Sequence, residues 1–385
     1  MFDPDALPEL QKTISERAKA DQKILDQLRS EVKTLKKDVR TIKARSTTAT
    51  SLVASDGGNN KIQFDPFTIQ LVRVVDSYGK QLCLDAVSPT TDTDEVSKAQ
   101  FDETGAPKTA LGRMMKDLNV ETLNELSHMV PSGKICRERP NEVSPSWVLV
   151  YRDLCEWAVL YERICYRAFG TDTLIVRDGL LRSKLFRKEL FITWRKLVET
   201  AIERIAKQDK LKIYLVGLAK HSKVLSRYQL AMSIEDVFPS GEALYVQVPR
   251  SLEAKAYVWP EYARGAEDEG GDKEAPKFVA GSMFLVRFGS RSGDPVWAVD
   301  IFETQVPAAP EIFGYLLADA KDGFPVPLYP RCLQKAHEHA EVVGFDMDIL
   351  QEEIFLAVRQ MLPTDRRAVL DAFRLNPDPS NRRYE

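Results

Sequence analysis

Three acidic residues occur at positions where acidic residues are unusual. Asp76 ends the apolar run LVRVV, Asp178 ends LIVR, and Glu162 lies in a helical pattern otherwise rich in Trp, Leu, Val and Cys. Taken singly, each Asp has a plain structural explanation, because Asp-Ser and Asp-Gly are common at turns. Taken together, the three residues predict carboxylates converging from different elements, where their mutual repulsion is costly unless a cation neutralises it.

The chemistry that such a cluster supports is metal-dependent hydrolysis. Carboxylate oxygens select Mg²⁺ or Mn²⁺ over zinc, and two such ions held about 3.5–4 Å apart would promote phosphodiester hydrolysis. The five cysteines are widely spaced without a CxxC pair, so a zinc site and a disulfide framework are not indicated. Because no P-loop, GxGxxG or GxSxG motif is present, any ATP hydrolysis must come from a partner.

Composition places the chain among soluble globular proteins. It has 385 residues, 44% of them hydrophobic and 29% charged, which suits one large core or two domains. The net charge of -3 gives no general attraction to a polyanion, so nucleic-acid binding would need a local basic patch. Without a long apolar run or a signal-peptide pattern, we expect a cytoplasmic protein that does not contact membrane.

The N-terminal part carries a heptad pattern. Apolar residues recur over residues 7–44, most regularly over 25–42, and favour a coiled-coil helix within residues 1–46. An amphipathic helix lying on its own domain is the alternative. The Ser, Thr, Gly and Asn residues that follow predict a flexible linker over 47–62.

From residue 63 to 375 the pattern predicts an α/β domain with a C-terminal helical part. Apolar strands alternate with helices, which is typical of a layered α/β fold. The predicted elements are a hairpin from about 65 to 87, helices at 96–130, 150–169 and 180–208, strands at 173–179 and 212–220, a hairpin at 278–304 and helices over 310–374. An acidic loop at 264–277 and a proline-containing tail at 376–385 are predicted to lack regular structure.

The order of several motifs resembles the NurA nuclease family. VVDSYG is followed by a helix bearing Glu162 and, 16 residues later, by Asp178 in IVRDGLL. KIYLVGLAKHSKVL resembles the family's VGLAK-S segment, and PVPLYPRCLQKAHEHA resembles its C-terminal motif, with Tyr329 and His337 eight residues apart. The first motif reads DSYG where the family has DGS.

The resemblance implies an RNase H-like mixed sheet flanked by helices and a manganese-dependent DNase. It also implies a homodimer that works with a HerA-type hexameric ATPase. Carried over by position, Asp76, Glu162 and Asp178 would bind Mn²⁺ or Mg²⁺, with two ions expected, while Tyr329 and His337 complete the site. The rivals are a catalytically weak scaffold module that organises an ATPase ring, and a ribonuclease or recombination-type endonuclease.

Two residues of the C-terminal motif allow a catalytic or a purely structural role. His337 would ligate a metal as neutral imidazole or bind a phosphate as imidazolium. A histidine at the edge of the core, held by a backbone carbonyl, is the structural alternative. Tyr329, beside Pro330, is equally consistent with packing.

A basic run at 177–196 is the candidate DNA-binding region. It contains seven Lys and Arg residues against two acidic residues, although a solvated helix face explains it equally well. The aromatic residues within it, Phe186, Phe191 and Trp194, have the spacing of core residues rather than of a base-stacking surface. Asp300 is interpreted as an edge-strand acid, with a place near the metals as the alternative. The candidate DNA-binding residues are Arg182, Lys184, Arg187, Lys188, Lys220 and Lys223.

Overall fold

The computed structural model describes residues 6–46, 50–64, 67–257, 277–341 and 344–368. Within them lies one mixed sheet of nine strands, in the order β1-β7-β8-β9-β6-β5-β2-β3-β4. The strands are β1 (Arg40–Thr41), β2 (Thr50–Phe64), β3 (Phe67–Asp76), β4 (Gln81–Val87), β5 (Asp172–Asp178), β6 (Ile213–Ala219), β7 (Leu244–Gln247), β8 (Gly281–Arg287) and β9 (Val296–Phe302). The neighbours β2, β5 and β6 run parallel and the other pairs antiparallel.

Helices cover both faces of the sheet. They are α1 (Leu7–Ala20), α2 (Gln22–Lys33), α3 (Thr93–Ala99), α4 (Ala110–Asp117), α5 (Leu123–Leu126), α6 (Gly133–Glu138), α7 (Trp147–Tyr166), α8 (Leu190–Gln208), α9 (Lys223–Ile234), α10 (Arg250–Ala256), α11 (Ala309–Ala320), α12 (Arg331–Ala340) and α13 (Gly344–Met361). Among the described residues, no helix is both long enough and apolar enough to cross a membrane.

The alternation of side chains along the strands divides the core between the two faces. In β5, Ile175 packs with α7 and α8, whereas Leu174 and Val176 pack with α11 and α12. Beyond β6 the first face is covered by α2, α9 and α10 instead. A residue's position in its strand therefore decides which helix its side chain meets.

In place of the flexible linker expected at 47–62, the structure describes a strand from Thr50 onward, and residues 47–49 lie outside the described residues. Thr50–Phe64 form β2, which pairs with β5 on one side and with β3 on the other. The segment SDGGNNK has low intrinsic strand propensity, but two neighbouring strands supply hydrogen-bond partners for its backbone, and such context overrides propensity. The strand also runs through the domain boundary expected at 63.

The N-terminal heptads divide at Asp21 into two helices with different surroundings, and the second ends at Lys33. The expected coiled-coil helix therefore does not extend through 25–42, because Arg40–Thr41 form β1 instead. Along α2, Val32 is buried and Leu28 packs beside it, against α9, so this half lies on its own domain as the alternative interpretation had it. Along α1 no residue is buried, and Ile14 is exposed. Self-association of α1 stays a prediction.

Most of the other predicted elements are present with shifted ends. Both hairpins form, as β3–β4 and β8–β9, and the helix expected at 150–169 is α7. The helix expected at 180–208 begins only at Leu190, because the preceding residues form an irregular loop. The acidic loop, apart from Lys277, and the tail at 376–385 lie outside the described residues.

Candidate metal centre

Three side chains with metal-binding atoms meet where the parallel pairing of β2 and β5 stops. Asp56, Asp178 and His337 each offer one ligand atom, and these atoms lie within 4.8 Å of one another. Asp178 and His337 are sequence-predicted site residues, whereas Asp56 lies in the segment expected to be a linker. The cluster joins residues separated by most of the chain.

Strand register explains why the two aspartates are neighbours. Ser55 of β2 pairs with Arg177 of β5 in parallel, so the residues that follow them, Asp56 and Asp178, are adjacent where this pairing stops. β5 ends at Asp178, whereas β2 continues to Phe64 as a partner of β3. The carboxyl end of a parallel strand is the usual place for a ligand site in open α/β sheets. The chain then leaves β5 through Gly179 at φ +107°, a conformation that other residues rarely adopt.

Helix α12 crosses these strands and supplies the histidine. His337 Nδ1 lies 2.8 Å from Asp56 Oδ2, and Asp56 Oδ1 accepts a hydrogen bond from the backbone N–H of Gly57 at 2.8 Å. Asp56 is 13% exposed and His337 61% exposed, so the cluster opens to solvent from the helix side. A ligand could therefore reach the carboxylates without displacing the core.

The electrostatics of the cluster favour a cation. Burial raises the pKa of the Asp178 carboxyl, and the negative charge of Asp56 raises that pKa further. Lys220 acts in the opposite direction, with its Nζ 3.8 Å from Asp178 Oδ2. Because the two carboxylates repel each other at close range, a bound divalent cation would stabilise both in the ionised form.

Tyr329 lies beneath the cluster. Its ring is fully buried, packs at 4.9 Å from the Trp297 ring, and has Lys220 Nζ 5.2 Å from its centroid. Its hydroxyl is buried near Asp178 but completes no well-formed hydrogen bond with the described residues. Burial, reinforced by the charges of Asp178 and Asp56, raises the pKa of this phenol, so it remains a neutral hydrogen-bond donor.

These observations fit a hard divalent cation. The two carboxylates are donors suited to Mn²⁺ or Mg²⁺, and the imidazole is more compatible with Mn²⁺ than with Mg²⁺. An Nδ1–H donated to Asp56 would leave Nε2 of His337 as the acceptor or ligand atom. The orphaned Tyr329 hydroxyl also leaves one donor for a bound water or substrate oxygen.

Asp76 lies on the other face of the sheet and holds a turn. Its Oδ1 accepts hydrogen bonds from the backbone N–H groups of Tyr78 and Lys80, both at 3.0 Å. Its Oδ2 faces Arg163 Nη1 at 4.0 Å. The structure thus gives Asp76 the turn role that its sequence context also allows, and it is not one of the three clustered residues.

Glu162 lies near the end of α7, between two arginines. Its Oε1 accepts hydrogen bonds from Arg113 Nη1 at 2.5 Å and from Arg167 Nη2 at 3.1 Å. Neither arginine belongs to the metal-binding cluster. The structure therefore does not bring Glu162 together with Asp178.

A different glutamate of α7 lies closer to the cluster. Glu156 is buried against Gly57, where a Cβ would collide with its carboxylate, and it is close enough to Asp56 for their charges to interact. Burial raises the pKa of Glu156 to about 8, although Arg177, whose Nη2 lies 3.3 Å from Glu156 Oε2, opposes this shift. Sequence reasoning missed Glu156.

The candidate DNA-binding residues are dispersed. Arg182, only 4% exposed, donates to Asp300 at 2.7 Å and to Glu253 at 2.6 Å, which makes it a buried structural residue. Arg187 donates to the Asn124 carbonyl at 3.2 Å. Lys184, Lys188 and Lys223 are exposed, and Lys220 borders the cluster.

Two further expectations concern buried residues. Phe191 and Trp194 stack in the core at 5.5 Å, with Phe186 beside them, as their spacing predicts. Asp300 is neither an edge-strand acid nor a neighbour of the clustered residues. It is fully buried in β9, between β8 and β6, where Arg182 neutralises it.

The sequence contains a signal that could have identified Asp56. Asp56-Gly57 in SDGG repeats the Asp-Gly pair of Asp178-Gly179, whereas DSYG at Asp76 departs from the DGS that the resemblance requires. The polar context of SDGGNN concealed the strand. The second Asp-Gly pair is therefore a better indicator of a clustered residue than the apolar run before Asp76.

No protein-family model and no curated protein matches the chain. Among solved structures, it is similar to the NurA nuclease from Sulfolobus solfataricus, with 12% identity and a TM-score of 0.43 over 94% of this chain and 99% of that chain. It is also similar to a NurA bound to dAMP and manganese, with 12% identity and a TM-score of 0.38 over 96% and 100% of the two chains. At these low values, the likeness by itself assigns neither activity nor residues to this chain.

Proposed function

We propose that this protein is a metal-dependent DNA nuclease whose metal centre consists of Asp56, Asp178 and His337. The observation that carries the proposal is the convergence of these three ligand atoms within 4.8 Å, where the parallel pairing of β2 and β5 stops. The motif resemblance described above agrees with it for Asp178 and His337. Mn²⁺ or Mg²⁺ is the expected cofactor, with two ions bound.

Each neighbouring side chain has a role that follows from its position. Asp56 and Asp178 would hold the ion, and His337 would act as a ligand oriented by Asp56. Tyr329 would donate its unused O–H to a phosphate oxygen, and Lys220 would neutralise part of the phosphate charge. A bound ion would supply Lewis-acid stabilisation of the charge that develops in phosphodiester hydrolysis.

We propose that Glu156 acts on this centre indirectly, as a positioning residue on the opposite face of the sheet. It lies against the strand that carries Asp56, whereas Glu162 is held by two arginines. The predicted ligand roles of Asp76 and Glu162 remain predictions that substitution can test. The ribonuclease alternative has the same metal chemistry and is distinguished by substrate.

The assembly that we propose is a homodimer that acts in the cytoplasm with a HerA-type hexameric ATPase. The exposed residues Leu7, Leu10 and Ile14 on α1 support self-association, since this helix buries no residue within the described chain. Deletion of residues 1–20 should convert the dimer to a monomer, which light scattering measures as a roughly halved mass, while α2 stays in place. A shortened chain that remains dimeric would show that α1 does not form the interface.

The test of the activity is cleavage of DNA by the purified full chain. We expect cleavage with Mn²⁺, loss of cleavage with EDTA, and a decrease of more than about 100-fold in Asp178→Asn. Asp209→Asn, at the opposite end of the parallel strands, is the matched control and should cleave normally. Electron paramagnetic resonance of Mn²⁺ counts the bound ions independently of activity.

Two results would contradict the proposal in different ways. A folded Asp178→Asn protein that cleaves as well as the wild type would remove the metal centre from the mechanism. Wild-type protein that binds a HerA-type ATPase but cleaves neither DNA nor RNA would favour the scaffold alternative.

A further inference from the structure

A basic groove lies beside the edge strand β4, against α7. Two cavities of about 460 Å³ and 300 Å³ share Leu82, Val159, Glu162 and Arg167 in their walls and form what we call the β4 groove. Its cationic side chains are Lys80, Lys108, Arg113, Arg163 and Arg167. Only Asp85 and Glu162 among its lining residues are acidic, although the whole chain has a net charge of -3.

The positive charge of the β4 groove is incompletely neutralised. Arg113 and Arg167 share the single carboxylate of Glu162. Arg163 has a buried Nε without a hydrogen-bond partner among the described residues, and its nearest ion-pair distance, to Asp76, is 4.0 Å. A guanidinium in this state favours an anionic ligand such as a phosphate.

One aromatic side chain lines the groove and two others are exposed on the elements that border it. Tyr78 is 69% exposed on the β3–β4 turn, Tyr166 is 50% exposed at the end of α7, and Phe169 lines the smaller cavity. The Arg113 guanidinium lies over the Tyr166 ring at 5.6 Å. Basic grooves with aromatic stacking surfaces are typical of sites for single-stranded nucleic acid, whose bases are free to stack.

The β3–β4 turn connects the groove to the metal centre. Lys80, at the end of this turn, lines the groove, and Gly79 lies against the ring of His339, to which an added Cβ would come within 3.4 Å. His339 is on α12, two residues after His337. The turn therefore contributes Lys80 to the groove and also contacts α12, the helix that carries His337.

We infer that the β4 groove binds a single-stranded DNA segment that leads across the β3–β4 turn to the metal centre. This inference rests on the proposed function for the identity of the ligand, while the groove itself rests on its own charges and aromatic residues. It replaces the dispersed basic run at 177–196 as the main contact with the DNA backbone. Lys80 and Arg163 would contact the phosphates nearest the metal centre.

The test is DNA binding in EDTA, measured by the anisotropy of a fluorescein-labelled oligothymidylate. We expect Lys80→Gln combined with Arg163→Gln to raise the Kd at least about tenfold, and to reduce the slope of log Kd against log salt concentration by about 1.4. Glu162→Gln removes negative charge from the groove and should lower the Kd. Because the two variants should change the Kd in opposite directions, a specific effect of the groove charge can be distinguished from a general loss of folding.

The matched control removes two exposed cations from the opposite edge of the sheet. Lys36 and Lys37 precede the edge strand β1, and their double substitution by Gln should leave the Kd within about twofold of the wild type, since the two cations lie far from the groove. Because Arg163 is partly buried, Lys80→Glu with Lys108→Glu provides a second groove variant at exposed positions. Thermal melts check folding throughout.

The possible outcomes separate this inference from the proposed function. Groove variants that bind like the wild type, or no more weakly than the control, would overturn the inference even if the wild type cleaves DNA. Duplex DNA that binds as tightly, with the same loss in the variants, would overturn the single-strand assignment. A wild type that never cleaves DNA but loses binding in the groove variants would overturn the proposed function and leave the groove intact.

Discussion

The two faces of the sheet carry acidic residues in contrasting surroundings near β2, β3 and β5. On the α12 face, Asp56 and Asp178 lie together, with His337 and Lys220 as their charged or polar neighbours. On the α7 face, an arginine nitrogen lies within 4.0 Å of a carboxylate oxygen of Asp76, Glu156 and Glu162. Among the described residues no arginine lies that close to Asp56 or Asp178, and we therefore propose a cation site on the α12 face alone.

This difference shows that residue type at a strand end does not by itself define a metal ligand. Asp76 and Asp178 both end apolar strands, yet the carboxylate of Asp76 is occupied by two backbone N–H groups of its own turn. Asp178 instead has a second carboxylate beside it. We propose that uncompensated negative charge, rather than position at a strand end, distinguishes a metal ligand from a turn residue here.

The largest expected difference in activity is between two variants in which an aspartate, one on each face of the sheet, is replaced by asparagine. Asp56→Asn should reduce Mn²⁺-dependent cleavage more than about 100-fold, because it removes a ligand and the partner of His337. Asp76→Asn should change cleavage less than about fivefold and act mainly through a lower Tm, since it weakens a turn. Cleavage rates and thermal melts of both variants check this.

The comparison would fail if a folded Asp76→Asn protein lost activity as completely as Asp56→Asn. In that case Asp76 would act as the sequence predicts, and the turn bonds would have to rearrange on metal binding.

The second effect distinguishes the two glutamates of α7. Glu156→Gln should lower kcat about 10- to 100-fold through its contact with the strand bearing Asp56. Glu162→Gln should leave kcat within about threefold and change KM instead, because Glu162 lies in the β4 groove. Steady-state kinetics on one oligonucleotide measures both, and a larger loss of kcat in Glu162→Gln would reverse the assignment.

The sequence predicts much of this architecture and part of the site. Strong apolar periodicity identifies β5, β6 and α7, and the motif around Asp178 and His337 identifies two of the three clustered residues. It does not identify Asp56, because β2 is stabilised by its two neighbouring strands rather than by its own residues. The sequence also cannot distinguish Glu156 from Glu162. They lie on different sides of α7, and only the packing of that helix shows which side faces the strand that carries Asp56.

The smallest expected effect is a pH dependence of stability that belongs to the α7 face. Burial raises the pKa of Glu156 from 4.5 to about 8, so the folded protein holds a proton that the unfolded chain releases in this range. The free energy of unfolding should therefore fall as the pH rises from 5 to 8, by roughly 1–3 kcal/mol for this group. Glu156→Gln cannot release a proton, so its free energy of unfolding should depend less on pH. Urea denaturation of the EDTA-treated proteins measures the difference, and equal pH slopes would mean that Arg177 keeps Glu156 ionised in the folded protein.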